Sequence, residues 1–427
     1  MAGLINQETH HPKNRENHPF FYGYFVAAAG FVIWMVGFGI SGTFGIFYKP
    51  ILTQFGWSRA DTVFAFSLGT FMSSLFALFT GFLTDRLGPR IVITVCGSFL
   101  GISCLLMSTL NTLWQFHIYY GIVASIGMSV TATPVMATVA RWFVKRRGLI
   151  TGIVQAGLGI GGLILAPLSG WLISDYGWRS AYIVLGIIAL CAFITSGFFM
   201  RRSPQDMGQL PDGETIPEVR ESALPGVMPS RGKLSLDKIG FSSRFWIIAG
   251  LYAIFGFCRS TFLAHTAAHV QDLGFSLMEA SNVMAFLMVS SMAGRIGMGR
   301  VADAIGNRSA FMMSYGATAV SLILVLSSTH LLGIYLFAFA FGFGWGAQAV
   351  LRFSTTAEVF GLSSLGLIMG ILGIFEAIAS ALGAYYAGFV YDLVGSYTPV
   401  FWFGIGVSLL GILLAALLGP RASSITN

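Results

Sequence analysis

Four ionisable side chains interrupt long apolar runs in the second half of the sequence: Arg259, Arg295, Arg352 and Glu376. A charge inside hydrocarbon is costly unless it is paired or hydrated, so each is a functional candidate. A guanidinium offers a carboxylate a planar fork of donors and keeps its charge. Three cations against one carboxylate leave this region net positive, which favours an anionic ligand over a cationic one. Arg295 stands eight residues before Asp303, about 12 Å along a helix. That is too deep for comfortable snorkelling, and carboxylate binding is expected of it. Arg259 and Glu376 should both fall near the middle of their helices, where a pair between them would leave Arg295 as the principal anion anchor. Arg352 is six residues from Glu358 and is expected at the aqueous interface.

Glu376 is also a candidate for carrying a coupling proton. His265 and His269 share one helical face and make a second one, with His265 the deeper. Their spacing suits a metal as well, but no third ligand accompanies them, so no metal site is expected. A small acid needs an apolar wall for its carbon end. Tyr120, Trp345 and Phe375 are the aromatic candidates, Tyr119 standing beside the first. No GxxxxGK[ST] loop is present, so no nucleotide drives the protein and no cofactor is implied. Energy must come from a gradient or from exchange.

The elements that hold these groups are long helices. The 427-residue chain is 55% hydrophobic and 10% charged, the balance of a membrane protein. Hydrocarbon about 30 Å thick needs roughly 20 apolar residues per crossing. Twelve such spans are predicted, at 20–48, 59–84, 88–109, 112–140, 148–174, 180–200, 245–270, 277–302, 309–329, 332–357, 364–391 and 397–418. The four cysteines all fall inside spans without ligand-like spacing and read as small packing residues. The first residues lack the pattern of a cleaved secretory peptide, so the first span is expected to direct insertion.

Basic residues collect in alternate loops, at Arg86 and Arg90, Lys145 to Arg147, Arg201 and Arg202, and Arg300 and Arg308. Both termini are therefore expected in the cytoplasm of a multi-pass protein of the cell membrane, a bacterial inner or plasma membrane. Lys49 and Arg59 are exceptions on the opposite side. The net charge of +7 follows from this bias and needs no nucleic-acid partner.

GFLTDRLGPR, from Gly81 to Arg90, returns as GRVADAIGNR, from Gly299 to Arg308, at an offset of 218 residues. Gly81, Asp85 and Arg90 thus answer Gly299, Asp303 and Arg308, while Arg86 belongs to the first copy alone and answers Ala304. The offset also relates Gly152 to Gly370, Gly170 to Gly388 and Gly177 to Gly395. A six-helix unit has been duplicated in the same orientation. The expected organisation is a tail at 1–19, a first half at 20–200, a polar linker at 201–243, a second half at 244–419 and a tail at 420–427. Arg295, Arg352 and Glu376 answer Ala77, Pro134 and Leu158, so the charges are not duplicated.

The repeated Gly-x-x-x-Asp loop resembles the signature between spans 2 and 3 of the major facilitator superfamily. That resemblance implies an all-α fold of twelve transmembrane helices in two pseudo-symmetric halves, with a substrate site between them and the loops as gating latches. Three stretches, FGIFYKPILTQFGWSRADTVFAFSL, RWFVKRRGLITGIVQAGLGIGG and HTAAHVQDLGFS, look like monocarboxylate transporters and oxalate/formate exchangers. The resemblance implies a substrate-binding arginine at Arg295. It departs at Ser291, where proton-coupled relatives carry an aspartate, and in span 1, which lacks their lysine. Glu376 occupies the position of a second basic residue in the exchangers, which argues for one carboxylate rather than two.

The expected function is secondary transport of small organic anions, monocarboxylates such as lactate or pyruvate first, by a monomer coupled to protons and without enzymatic chemistry. Proton-driven export of drugs or metabolites is the alternative, permitted by a partial span 5 antiporter motif at Gly162 to Gly170 and opposed by the net positive pathway. A nutrient sensor on the same scaffold is a further one, opposed by a linker with no evident domain.

Overall fold

The computed structural model describes residues 21–213, 242–360 and 365–418, and among these there are helices, turns and no strand. The tails predicted at 1–19 and 420–427, and most of the linker, lie outside the described residues. Among the described residues, eleven helices are long and apolar enough to cross a membrane. One of them, Gly148–Phe199, has 52 residues, more than twice what a crossing needs. It breaks at Gly177, where φ is 78° and ψ 159°, so it supplies spans 5 and 6 and the chain crosses twelve times.

Span 1 is Gly23–Phe55 and span 2 Arg59–Leu87; spans 3 and 4 are Pro89–Ser108 and Leu113–Trp142. Span 7 is Ser243–Asp272, span 8 Leu277–Ile305, span 9 Asn307–Ser327, span 10 Leu331–Phe360, span 11 Leu365–Val394 and span 12 Thr398–Leu417. Span 1 outlasts its predicted end by seven residues, because Ile46, Phe47, Tyr48 and Ile51 are buried against the bundle and reward the extra turns. Span 4 contains a π-helical stretch, His117–Val123.

The duplication survives in the backbone. Gly56, Gly88 and Gly177 have φ of 66°, 83° and 78°, and their counterparts 218 residues on, Gly274, Gly306 and Gly395, have 94°, 85° and 73°. Only glycine enters this region without strain, which explains why these positions match when most others have diverged. Ser58 and Ser276, also 218 apart, cap spans 2 and 8 by accepting from the Asp61 and Glu279 backbone N–H groups.

An even number of crossings returns the chain to its starting side. That end is called here the terminus side, and the other the far side. The halves meet toward the far side through two related crossings, span 5 on span 8 and span 11 on span 2. A Cβ at Gly170 would meet the Ser281 side chain and lie 3.7 Å from the Leu277 carbonyl; one at Gly388 would lie 2.9 Å from the Arg59 carbonyl. Leu277 is the counterpart of Arg59, so the two contacts are the same contact made twice. On the terminus side the matching spans stand apart. A Cβ at Gly81, Gly152, Gly299 or Gly370 would have nothing within 4 Å. The bundle is closed at the far side and splayed at the other.

Candidate functional site

The central charges sit on spans 7, 8, 10 and 11, and small residues bring those spans together. A Cβ at Gly342 or Gly346 of span 10 would run into the Leu287 and Ser291 carbonyls of span 8. Side-chain-free contact at this point lets Trp345 lie beside Arg295, whose guanidinium carbon is 5.5 Å from the indole ring. In the same way Gly256 of span 7 abuts Glu376 and Ser380 of span 11, which sets Arg259 against Ser380.

Glu376 does not pair with Arg259, contrary to the sequence expectation. Its carboxylate binds Arg352. Arg352 is not at the interface either: it is 7% exposed, with its guanidinium 3.6 Å from the Phe255 ring centroid and 4.9 Å from that of Tyr252. Span 10 turns Arg352 inward toward span 11, while the six residues to Glu358 place it more than a turn below the surface. Arg259 donates to the Ser380 hydroxyl at 3.3 Å instead.

Arg295 is left with the Ser291 hydroxyl at 3.3 Å and the Trp345 face. It has no carboxylate partner among the described residues. The Trp345 indole N–H is buried without an acceptor, and so is Nε of Arg259. Buried donors without acceptors are uncommon in folded proteins, and here they lie on spans 7 and 10.

The other aromatic candidates lie elsewhere. Tyr120 is packed in the first half with Phe44, Phe66 and Phe116, at centroid distances of 5.0, 6.4 and 6.0 Å. Phe375 turns toward Phe245 and Trp246 at the terminus-side start of span 7, at 6.4 and 5.8 Å, and does not join Trp345 in a wall around Arg295. Helical rotation decides this, since one step along a helix turns a side chain by about 100°.

In the gating loops, Asp85 forms an ion pair with Arg141 of span 4 at 2.8 Å, and its carbonyl accepts from Arg202. Arg86 and Arg90 lie over the Phe82 and Phe198 rings. The second loop reaches span 10 through Asn307, which bonds Glu358 and accepts from Ser354. Gly299, Asp303 and Arg308 occupy the corresponding bend. In this conformation the first latch is made within its own half.

The halves are tied at the far side by a group that the sequence reading did not assemble. Arg59, at the start of span 2, is 8% exposed. Its guanidinium binds Asp272 of span 7 at 2.6 Å, donates to the Tyr397 hydroxyl and lies 3.5 Å from the Tyr391 ring centroid. Lys49 adds a second bond to Asp272 at 2.7 Å. Asp392 of span 11 accepts from the Arg59 and Ala60 backbone N–H groups at 2.9 and 2.7 Å, closing the N-terminus of span 2. The signal was present: Lys49 and Arg59 were cations on the wrong side for the loop-charge pattern, and Asp272 and Asp392 end spans on that side. His265 belongs to this group, with Nδ1 2.9 Å from the Tyr397 hydroxyl and Nε2 3.0 Å from the Ala384 carbonyl.

Comparison with known proteins agrees with this architecture. Monocarboxylate transporter 13 of Rattus norvegicus is 26% identical over 382 residues, covering 89% of this chain and 85% of its own. Monocarboxylate transporter 12 of the same organism is 24% identical, over 89% and 82%. Riboflavin transporter RibJ of Trypanosoma brucei brucei is 31% identical over a shorter stretch, 47% of this chain and 37% of its own. Among solved structures, a bacterial homologue of the human lysosomal transporter Spinster, inward-facing and occupied, superposes with a TM-score of 0.72 at 15% identity, covering 93% of this chain and 96% of that one. The Major Facilitator Superfamily profile matches residues 26–347 and 271–425. With its duplicated six-helix halves and the match of this profile to most of its length, the chain belongs to the Major Facilitator Superfamily and is a membrane transporter, not an enzyme.

Proposed function

We propose that the protein carries small organic anions, monocarboxylates such as lactate or pyruvate first, by alternating access between its two halves. The observation that carries this reading is Arg295. It lies within span 8 with a serine hydroxyl and an indole face for company, while Glu376 of span 11 is taken by Arg352. A carboxylate would accept from the guanidinium and from the idle Trp345 N–H, satisfying both. The kinship with monocarboxylate transporters at 24–26% identity supports the same class.

In this reading the terminus side faces the cytoplasm, the described conformation is inward-open, and the protein works as a monomer of the cell membrane. The two halves, 20–200 and 244–419, rock about the substrate, and the linker between them is cytoplasmic. Arg259 adds positive potential beside Arg295, and Trp345 supplies the apolar wall. Tyr120 and Phe375 shape the halves from outside the site. The test is uptake of labelled lactate into proteoliposomes by the wild type, Arg295→Ala and Arg295→Lys. Removing a buried cation that pairs with the substrate should cost about 2–5 kcal/mol, roughly a 30-fold loss of uptake efficiency or more. Lysine, a point charge without the fork, should recover a part. Unchanged uptake by Arg295→Ala would sink the assignment.

A further inference from the structure

The far-side knot has a hydrogen-bond direction that fixes the protonation of one histidine. Arg59 can only donate, so the Tyr397 oxygen accepts from it. The Ala384 carbonyl can only accept, so Nε2 of His265 carries a hydrogen. Nδ1 of His265 is then left to accept from the Tyr397 hydroxyl. The chain Arg59 to Tyr397 to His265 to Ala384 is complete only with a neutral imidazole.

Beside His265, between spans 7 and 12, is a small cavity bounded by Thr261, Thr266, His269, Tyr397 and Phe401. It leaves about 10 Å³ for the centre of a water molecule, the room that one water needs. Thr261 Oγ1, Thr266 Oγ1 and His269 Nε2 are buried around it without a partner. Three polar groups without partners make this a polar space with room for one water. His269 is one helical turn from Asp272, whose carboxylate is 20% exposed at the far side. Asp272, His269 and the two threonine hydroxyls thus line a polar path from the far-side surface toward His265.

The groups around His265 are evenly charged. Span 1 presents Tyr48, at a ring distance of 5.3 Å, and Lys49; span 2 presents Arg59; span 7 its own His269 and Asp272; span 11 Tyr391 and Asp392; span 12 Tyr397. Two cations face two carboxylates, and both carboxylates are already engaged.

We propose that His265 is the proton-operated release of the far-side latch. A proton arriving along the His269 path binds Nδ1, the atom that had been accepting from Tyr397. The Tyr397 oxygen then faces N–H donors from both Arg59 and His265, and its own hydrogen loses its acceptor. The new imidazolium is also a third cation beside Arg59 and Lys49. Both effects weaken the bonds by which Arg59 holds spans 7, 11 and 12, and the halves separate at the far side. When the proton leaves, the chain reforms and the latch closes. This rests on reading the protein as a carrier whose far side is the outer face, so external acid opens it outward.

Hydrogen exchange read by mass spectrometry on the full chain in detergent, without substrate, tests this between about pH 8 and about pH 5. After correction for intrinsic exchange, residues 57–63 and 392–398 of the wild type should exchange roughly five-fold faster or more at the lower pH. His265→Gln, which can still accept from Tyr397 and donate to Ala384, should lose that contrast. Tyr397→Phe should exchange faster at both pH values with a smaller contrast, and it serves if the glutamine variant does not fold. A wild type without contrast, or a contrast kept in His265→Gln, overturns the proposal. Because no substrate is present, its failure is separate from failure of the anion-carrier reading.

Discussion

Glu376→Gln is the sharpest perturbation of the central site. It removes the one carboxylate there and leaves Arg352, whose side chain is 8% exposed, without its partner. Breaking one side of a buried ion pair costs about 3–5 kcal/mol, because the remaining charge stays desolvated. Glu376 is 22% exposed on its side chain, so the lower end applies, about 3 kcal/mol. Replacing both partners, Arg352→Met with Glu376→Leu, removes both desolvation costs and should bring stability back to within about 1 kcal/mol of the wild type. Reversible denaturation in detergent, arranged as two double-mutant cycles, measures this. The Arg352–Glu376 cycle should give a coupling of about 1.5 kcal/mol or more, and the Arg259–Glu376 cycle distinctly less, since Arg259 is bonded to Ser380. A larger coupling for Arg259, or a neutral Glu376→Gln, would refute the assignment of the acid to Arg352.

The far-side contact predicts a contrast between two glycines. A methyl at Gly388 meets the Arg59 carbonyl at 2.9 Å and should cost the far-closed state about 1–3 kcal/mol, whereas one at Gly152 meets nothing and should not. A membrane-impermeant thiol reagent should therefore label Ser281→Cys, buried at the related crossing of spans 5 and 8, faster in Gly388→Ala than in Gly152→Ala; equal rates would contradict the packing. At the terminus side, Asp212 accepts from the backbone N–H groups of Val144, Lys145 and Arg146. Slight desolvation opposes ionisation there, but those three bonds outweigh it and hold the carboxyl below its usual value. The folded state thus binds its proton less readily than the unfolded one, so the contribution is present above about pH 4 and lost as pH falls through the lowered value. Proteolysis of the 142–148 turn should accelerate below that pH, and Asp212→Asn should be fast already at neutrality.

Arg295 was legible because an arginine at mid-span has few explanations, and its depth follows from helix rise alone. Trp345 was placed at mid-span in the same way, and the structure sets its ring beside Arg295. The partner of Glu376 was not, because Arg259 and Arg352 lie at compatible depths and depth does not say which way a side chain points. Phe375 failed for the same reason. The knot around Arg59 joins residues 213 to 338 positions apart, and only its two out-of-place cations left a trace in the sequence.

Local pattern by itself determined the membrane-spanning helices, their number and their duplication. Hydrophobic length, left-handed glycines and serine caps are conditions that each segment meets alone, so they can be read one segment at a time. Tertiary structure decided which acid neutralises which arginine, which aromatic faces the site, and that the far side is closed by Arg59, Asp272, Asp392 and Tyr397. Those outcomes depend on the rotation and crossing of helices brought together from distant parts of the chain, and a few ångströms separate a salt bridge from a free charge.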